Sequence, residues 1–170
     1  GKTTENHIFV RHFIDSAQIY DLIQDKSEII DLGSGGGFPG VILKILMDYN
    51  KKDGNITLIE KSPKKCKFLQ DLTDKLDLKI KIVNLKIENF ELNKISTIVS
   101  RAFKNTVDTI DILFKNNDKI ESVILLKGKT YQQELEDAKK KYTFDVEKFR
   151  SITSDESSII KIKNIKLNTT

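Results

Sequence analysis

Cysteine, histidine, proline and arginine are all scarce in this chain. Its 170 residues hold one cysteine, two histidines, two prolines and no tryptophan, and only three of its 29 basic residues are arginine. A lone Cys66 excludes internal disulfides and suits a reducing compartment, so a cytoplasmic location is expected. Two histidines and one cysteine make a poor zinc set, and no metal is expected. No apolar run approaches the roughly 18 residues of a membrane span, and no secretory leader is legible. No membrane partner is expected. The net charge of +4 permits an RNA partner without demanding one. The chain is rich in lysine, isoleucine and asparagine, a composition that fits drift in an A+T-rich genome. An arginine kept under such drift marks a place where a planar fork is needed, which singles out Arg11 and Arg101.

Glycine is scarce too, but five of its eight residues crowd into Asp31-Leu-Gly33-Ser34-Gly35-Gly36-Gly37-Phe38-Pro39-Gly40. Ile29-Ile30 precede this stretch, and Val41, Ile42, Ile45 and Leu46 follow at helical spacing, which predicts strand, tight turn and helix. Glycines there let a ligand approach the main chain, and Pro39 suits the first helical turn. A P-loop would need Lys-Ser/Thr after Gly40, where Val41-Ile42 stand. A hydrolase elbow would need Gly-x-Ser-x-Gly, and the glycines flanking Ser34 are adjacent to it. Gly35-x-Gly37-x-x-Gly40 does satisfy the dinucleotide fingerprint. Asp31-x-Gly33-x-Gly35-x-Gly37 instead suits S-adenosylmethionine (SAM), whose ammonium wants a carboxylate nearby. SAM is the favoured ligand, with an NAD-type oxidoreductase as the alternative.

One domain over residues 1–170 is expected at this length. Residues 5–24 read as an amphipathic helix with Phe9, Phe13, Ala17 and Tyr20 on one stripe, an N-terminal element over residues 1–25. It sets Arg11 four residues before Asp15, with His12 near Ser16. Ile56–Glu60 is a buried strand whose terminal acid can accept ribose hydroxyls. Ser62-Pro63 starts a helix carrying Lys64, Lys65 and Lys67. Lys79–Val83 is a third strand, followed by Ile87 and Glu88, placed to meet an adenine. Ser96–Ser100 ends at Arg101, Asn105–Phe114 is helical, and Ser122–Leu126 closes on Lys127. Tyr131–Lys141 is a charged helix, and Phe144–Phe149 and Ser158–Leu167 are two final antiparallel strands. The class is α/β, a doubly wound, mostly parallel seven-stranded sheet of the SAM-methyltransferase type. A non-catalytic RNA-binding module on that fold is the rival from another functional class.

His7-Ile-Phe-Val-Arg11-His12-Phe-Ile-Asp15-Ser16, the glycine loop through Gly40, Val99-Ser100-Arg101-Ala102-Phe103 and Leu126-Lys127-Gly128 together resemble the bacterial small-subunit rRNA methyltransferase G family. The resemblance implies methyl transfer from SAM to N7 of a guanine in the decoding region of 16S rRNA, on naked RNA or on the small ribosomal subunit. It implies cofactor contacts at Gly33, Phe38, Ile87, Glu88 and Arg101, joining Asp31, Ser34, Gly35, Gly37 and Glu60 from the residue reading. Arg101 is the catalytic candidate, and Arg11, His12, Lys65 and Lys127 are the RNA candidates. The helices that members carry ahead of the Arg-His block are expected to be missing, and a monomer is expected. Lysine stands at Lys65 and Lys86 where members often have arginine.

Overall fold

The computed structural model describes residues 9–169. Seven strands form one sheet in the order β3-β2-β1-β4-β5-β7-β6. The strands are β1 (Glu28–Leu32), β2 (Asn55–Glu60), β3 (Lys81–Asn84), β4 (Ser96–Arg101), β5 (Ile120–Lys127), β6 (Tyr142–Arg150) and β7 (Ser158–Leu167). The first five run parallel. The last strand slots antiparallel between β5 and β6, as the two successive C-terminal strands predicted. Among the described residues, four helices of two turns or more flank the sheet: α1 (Gly40–Tyr49), α2 (Pro63–Lys75), α3 (Thr106–Phe114) and α4 (Tyr131–Lys139).

Parallel strands are buried on both faces, so their side chains alternate between two cores. Ile30, Leu32, Ile59 and Ile98 join Ile110, Leu113 and Leu135 from α3 and α4. Ile29, Leu58 and Val99 turn the other way, against Val41, Leu43 and Met47 of α1 and Leu69 of α2. The same alternation sends Asp31, Glu60 and Arg101 to the α1 side, at the carboxyl ends of three neighbouring strands. Helix starts follow the local chemistry. Asn105 caps α3 by accepting from Asp108 N–H at 2.8 Å, and Ser62 caps α2 ahead of Pro63. Pro39 lies one residue outside α1, not in its first turn as predicted.

The N-terminal segment departs from expectation. In place of one helix over 5–24 there is a π-helical stretch (Phe9–Ile14), one α-turn (Asp15–Ala17) and a 3₁₀ turn (Tyr20–Leu22); residues 5–8 lie outside the described residues. The wider π turn shifts the phase of the stripe. Among residues 11–24, Ser16, Ile19 and Ile23 are therefore the buried ones, and Phe13 is 39% exposed. Ser16 donates to the His12 carbonyl at 2.6 Å, a back-bond that bends helices, so the expected Ser16–His12 proximity is to the backbone rather than the ring. The third strand starts two residues late because a turn holds Ile80 N–H on the Leu78 carbonyl.

Candidate active site

The glycine loop is held from below by two carboxylates. Asp31 is fully buried, and its Oδ2 accepts the first N–H of α1, from Gly40, at 2.9 Å. Its Oδ1 is buried with no partner among the described residues. Burial pushes the Asp31 carboxyl up to about 7, against the pull of the Gly40 N–H, Ser34 and Arg101. Glu60 accepts from Gly35 N–H at 3.0 Å through Oε2 and from Ser62 N–H at 2.8 Å through Oε1. Glu60 therefore clasps the loop in addition to facing the cavity beyond it. Ser34 is buried and its hydroxyl is spent on the Asp31 carbonyl at 3.1 Å. The loop carries its shape in main-chain atoms, which is why side-chain chemistry alone says little about it.

Two cavities open at the carboxyl ends of the strands. One, of about 580 Å³, is lined by Gly33, Glu60, Lys65, Ile87, Glu88 and Phe103 among others. The second, of about 600 Å³, is lined by Arg11, His12, Asp15, Arg101, Phe103 and Lys127 among others. Ala102, Phe103 and Lys104 line both. Ala102 sits at φ +53° in the left-handed region, a strained conformation for a residue with a Cβ. Phe103 closes over Gly33 so tightly that a Cβ there would come within 2.6 Å of its ring. Phe103 lies in the Val99–Phe103 stretch, where sequence alone assigns it no role. Its position after a strand end was the one available signal.

The first cavity thus gathers Gly33, Glu60, Ile87 and Glu88 as expected. Asp31, Ser34, Gly35 and Gly37 support or shape the loop beside it. Phe38 is turned away, between the His12 ring (5.3 Å, 27° between planes), the edge of Phe13 (5.3 Å) and the Arg101 guanidinium (5.5 Å). Lys65 is exposed and lines the first cavity. Lys127 lines the second cavity with a side chain only 10% exposed; its ammonium pairs with Glu134 at 2.7 Å and donates to the Lys104 carbonyl at 2.5 Å.

Arg101 uses its fork, as the scarcity of arginine implied, but on the N-terminal segment. One nitrogen donates to the Arg11 carbonyl at 2.8 Å and the other meets His12 Nδ1. An arginine donor on Nδ1 requires a neutral His12 with its proton on Nε2. Burial first, then the Arg101 charge, hold the His12 pKa below its ordinary value, in keeping with that tautomer. Arg11 and His12 line the second cavity with Arg101. The predicted Arg11–Asp15 pair is replaced by bonds from Gln18, Ser151 and Thr153 to Asp15.

A family model for rRNA small subunit methyltransferase G matches residues 1–161. The chain belongs to that family. Among its relatives, a ribosomal RNA small subunit methyltransferase G from Pelagibacter ubique is 36% identical over 97% of this chain and 78% of its own. One from Rickettsia felis is 35% identical over 95% of this chain and 81% of its own. A SAM-dependent methyltransferase from Aquifex aeolicus superposes with a TM-score of 0.67 at 12% identity, covering 92% of each chain, which shows the shared fold. This member of the methyltransferase G family is therefore a SAM-dependent enzyme acting on small-subunit rRNA. The loop fits that cofactor. A Cβ built on Gly35 meets only the Gly33 carbonyl at 3.7 Å, leaving room above the main chain, and Asp31 Oδ1 is an orphaned acceptor beneath it. No helix among the described residues is long and apolar enough to cross a membrane.

The raised Asp31 pKa has a measurable consequence. A carboxyl at about 7 when folded and near its ordinary value when unfolded favours the folded state at low pH. That contribution is complete below about pH 4 and is lost as pH rises through about 7. Asp31→Asn keeps an oxygen for the Gly40 N–H and removes the titration. Thermal melts from pH 5 to pH 8 without cofactor are expected to show a flatter profile for the variant than for the wild type. Parallel profiles would mean that Asp31 does not titrate in this range.

Proposed function

We propose that this enzyme methylates N7 of a guanine in the decoding region of 16S rRNA, in the cytoplasm, with the cofactor in the cavity beside Glu60 and the base in the cavity beside Arg101. The observation that carries this reading is the shared wall: Ala102, Phe103 and Lys104 border both spaces, so the two cavities adjoin, and N7 would attack the methyl carbon directly as its bond to sulfur breaks. SAM supplies an electrophilic methyl sulfonium. Guanine N7 offers a lone pair with no proton to remove, so the protein's task is positioning in a sheltered site. Glu60 and the Gly33–Gly37 main chain hold one reactant. Arg101 fixes the Arg11-His12 wall of the cavity that receives the other, and so acts as a positioning residue. Ile87 and Glu88 border the cofactor cavity, where they fit the adenine end.

Arg101→Lys tests that role. Lysine keeps the charge but cannot span the Arg11 carbonyl and His12 Nδ1 together. Methyl transfer is expected to fall at least about tenfold, on the order of 1.4 kcal/mol, while the melting temperature moves little. Near-normal turnover would reduce Arg101 to a surface contact.

The proposal itself is tested by borohydride and aniline cleavage of 16S rRNA incubated with SAM and the enzyme. Scission at one guanine in the decoding region is expected only when the enzyme is present. Methyl incorporation without such scission would overturn the N7 assignment.

A further inference from the structure

The wall of the 600 Å³ cavity holds two carboxylates, Asp15 and Glu134. Glu134 is fully engaged. Its Oε2 takes Lys127 Nζ at 2.7 Å, Thr106 N–H at 3.0 Å and the Thr106 hydroxyl at 3.1 Å, and its Oε1 takes the Thr130 hydroxyl at 3.0 Å. Asp15 is engaged through one oxygen only. Its Oδ1 accepts from Gln18 Nε2 at 2.5 Å, the Thr153 hydroxyl at 2.8 Å and the Ser151 hydroxyl at 3.2 Å. Its Oδ2 makes no hydrogen bond among the described residues. The clasp ties the N-terminal segment to the β6–β7 connection and fixes through one oxygen a carboxylate that lines the cavity, where its charge acts on Arg101 and His12.

A base turned into a pocket is read by hydrogen bonds to its Watson–Crick edge. Guanine alone among the RNA bases presents two adjacent donors there, N1–H and the N2 amine. Adenine presents an acceptor at N1, which a carboxylate repels. The N2 amine lies on the side of the purine away from N7. With N7 toward the cofactor cavity, the amine is left for lining that belongs to the second cavity alone, as Asp15 does.

We infer that Asp15 is the specificity residue of this enzyme, its Oδ2 accepting a hydrogen bond from the N2 amine of the acceptor guanine. The inference rests on the guanine-N7 reading above. It also gives the chain a reason to fix that carboxylate through a single oxygen.

The test is a cycle of two changes: Asp15→Asn in the enzyme, and guanosine→inosine at the methylated position of the RNA. Inosine lacks the N2 amine and keeps N7. With the wild type, inosine is expected to lower kcat/KM about tenfold, the scale of one hydrogen bond to a charged group. With Asp15→Asn, inosine should cost nothing further, because the amide in place of Oδ2 has no use for the amine. Ser151→Ala, which loosens the clasp without touching Oδ2, should keep the wild-type ratio of guanosine to inosine. Asp15→Ser, read the same way, keeps the test alive should Asp15→Asn fail to fold. An equal inosine penalty in wild type and Asp15 variants would confine Asp15 to the clasp and overturn the inference alone. Absence of N7 methylation by the wild type would overturn the functional reading, and the inference with it.

Discussion

Gly40→Ala is expected to destabilise the fold severely, although it adds a single methyl group. A Cβ at Gly40 would lie 2.3 Å from Leu58 Cδ2, 2.8 Å from Asp31 Oδ2 and 3.2 Å from Asp31 Cβ. Leu58 is fully buried in the centre of β2 and cannot swing away, and Asp31 is held by the Gly40 N–H itself. Relief requires lifting the start of α1 off the sheet, which breaks that hydrogen bond and opens the core around Val41 and Leu43. Overpacking a rigid core costs about 1–3 kcal/mol, and the lost buried bond adds to it. A total of about 3 kcal/mol corresponds to roughly 6–12 °C in a chain of this size. Differential scanning calorimetry reads it directly. A melting temperature within about two degrees of the wild type would mean that α1 is not seated on the sheet as described.

Gly35→Val is expected to do the reverse: to abolish SAM binding and leave the fold largely intact. Gly35 has φ +57°, which costs a residue with a Cβ roughly 1–2 kcal/mol, yet the nearest atom to a built Cβ is the Gly33 carbonyl at 3.7 Å. The N–H that Glu60 holds is retained in valine. The added side chain therefore enters the space that the loop keeps clear for its ligand. Isothermal titration should detect no SAM binding, while circular dichroism shows a folded protein that melts only a few degrees lower. Normal SAM affinity would place the cofactor elsewhere. The contrast between two glycines five residues apart follows from what each one faces.

Periodicity made most of this legible in advance. The runs Ile29-Ile30, Ile56–Ile59, Thr97–Val99 and Val123–Leu126 are largely apolar, the pattern of strands interior to a sheet, and each lies in one; the last, β5, is parallel to β4 and antiparallel to β7. The final pair of strands betrayed the antiparallel insertion because no helix separates them. The N-terminal segment misled for a definite reason. Its apolar residues sit at ordinary helical spacing, but the π turn before Asp15 changes the phase, and spacing carries no trace of that. Asp31 and Glu60 were legible as acids at strand ends. What they hold was not, because their partners are backbone N–H groups of Gly40, Gly35 and Ser62. The ion pair of Lys127 was hidden in the same way, since its partner Glu134 comes from a different element, α4. Phe103 and Asp15 needed the fold before either could be placed on a cavity wall.

One measurement tests the enzyme's chemistry and its cofactor loop together. Small-subunit RNA is incubated with methyl-labelled SAM and either the wild type or Gly35→Val, then digested to nucleosides and separated. Label in 7-methylguanosine with the wild type, and none with Gly35→Val, is the predicted result. Label in any other nucleoside, or equal label with both proteins, would contradict it.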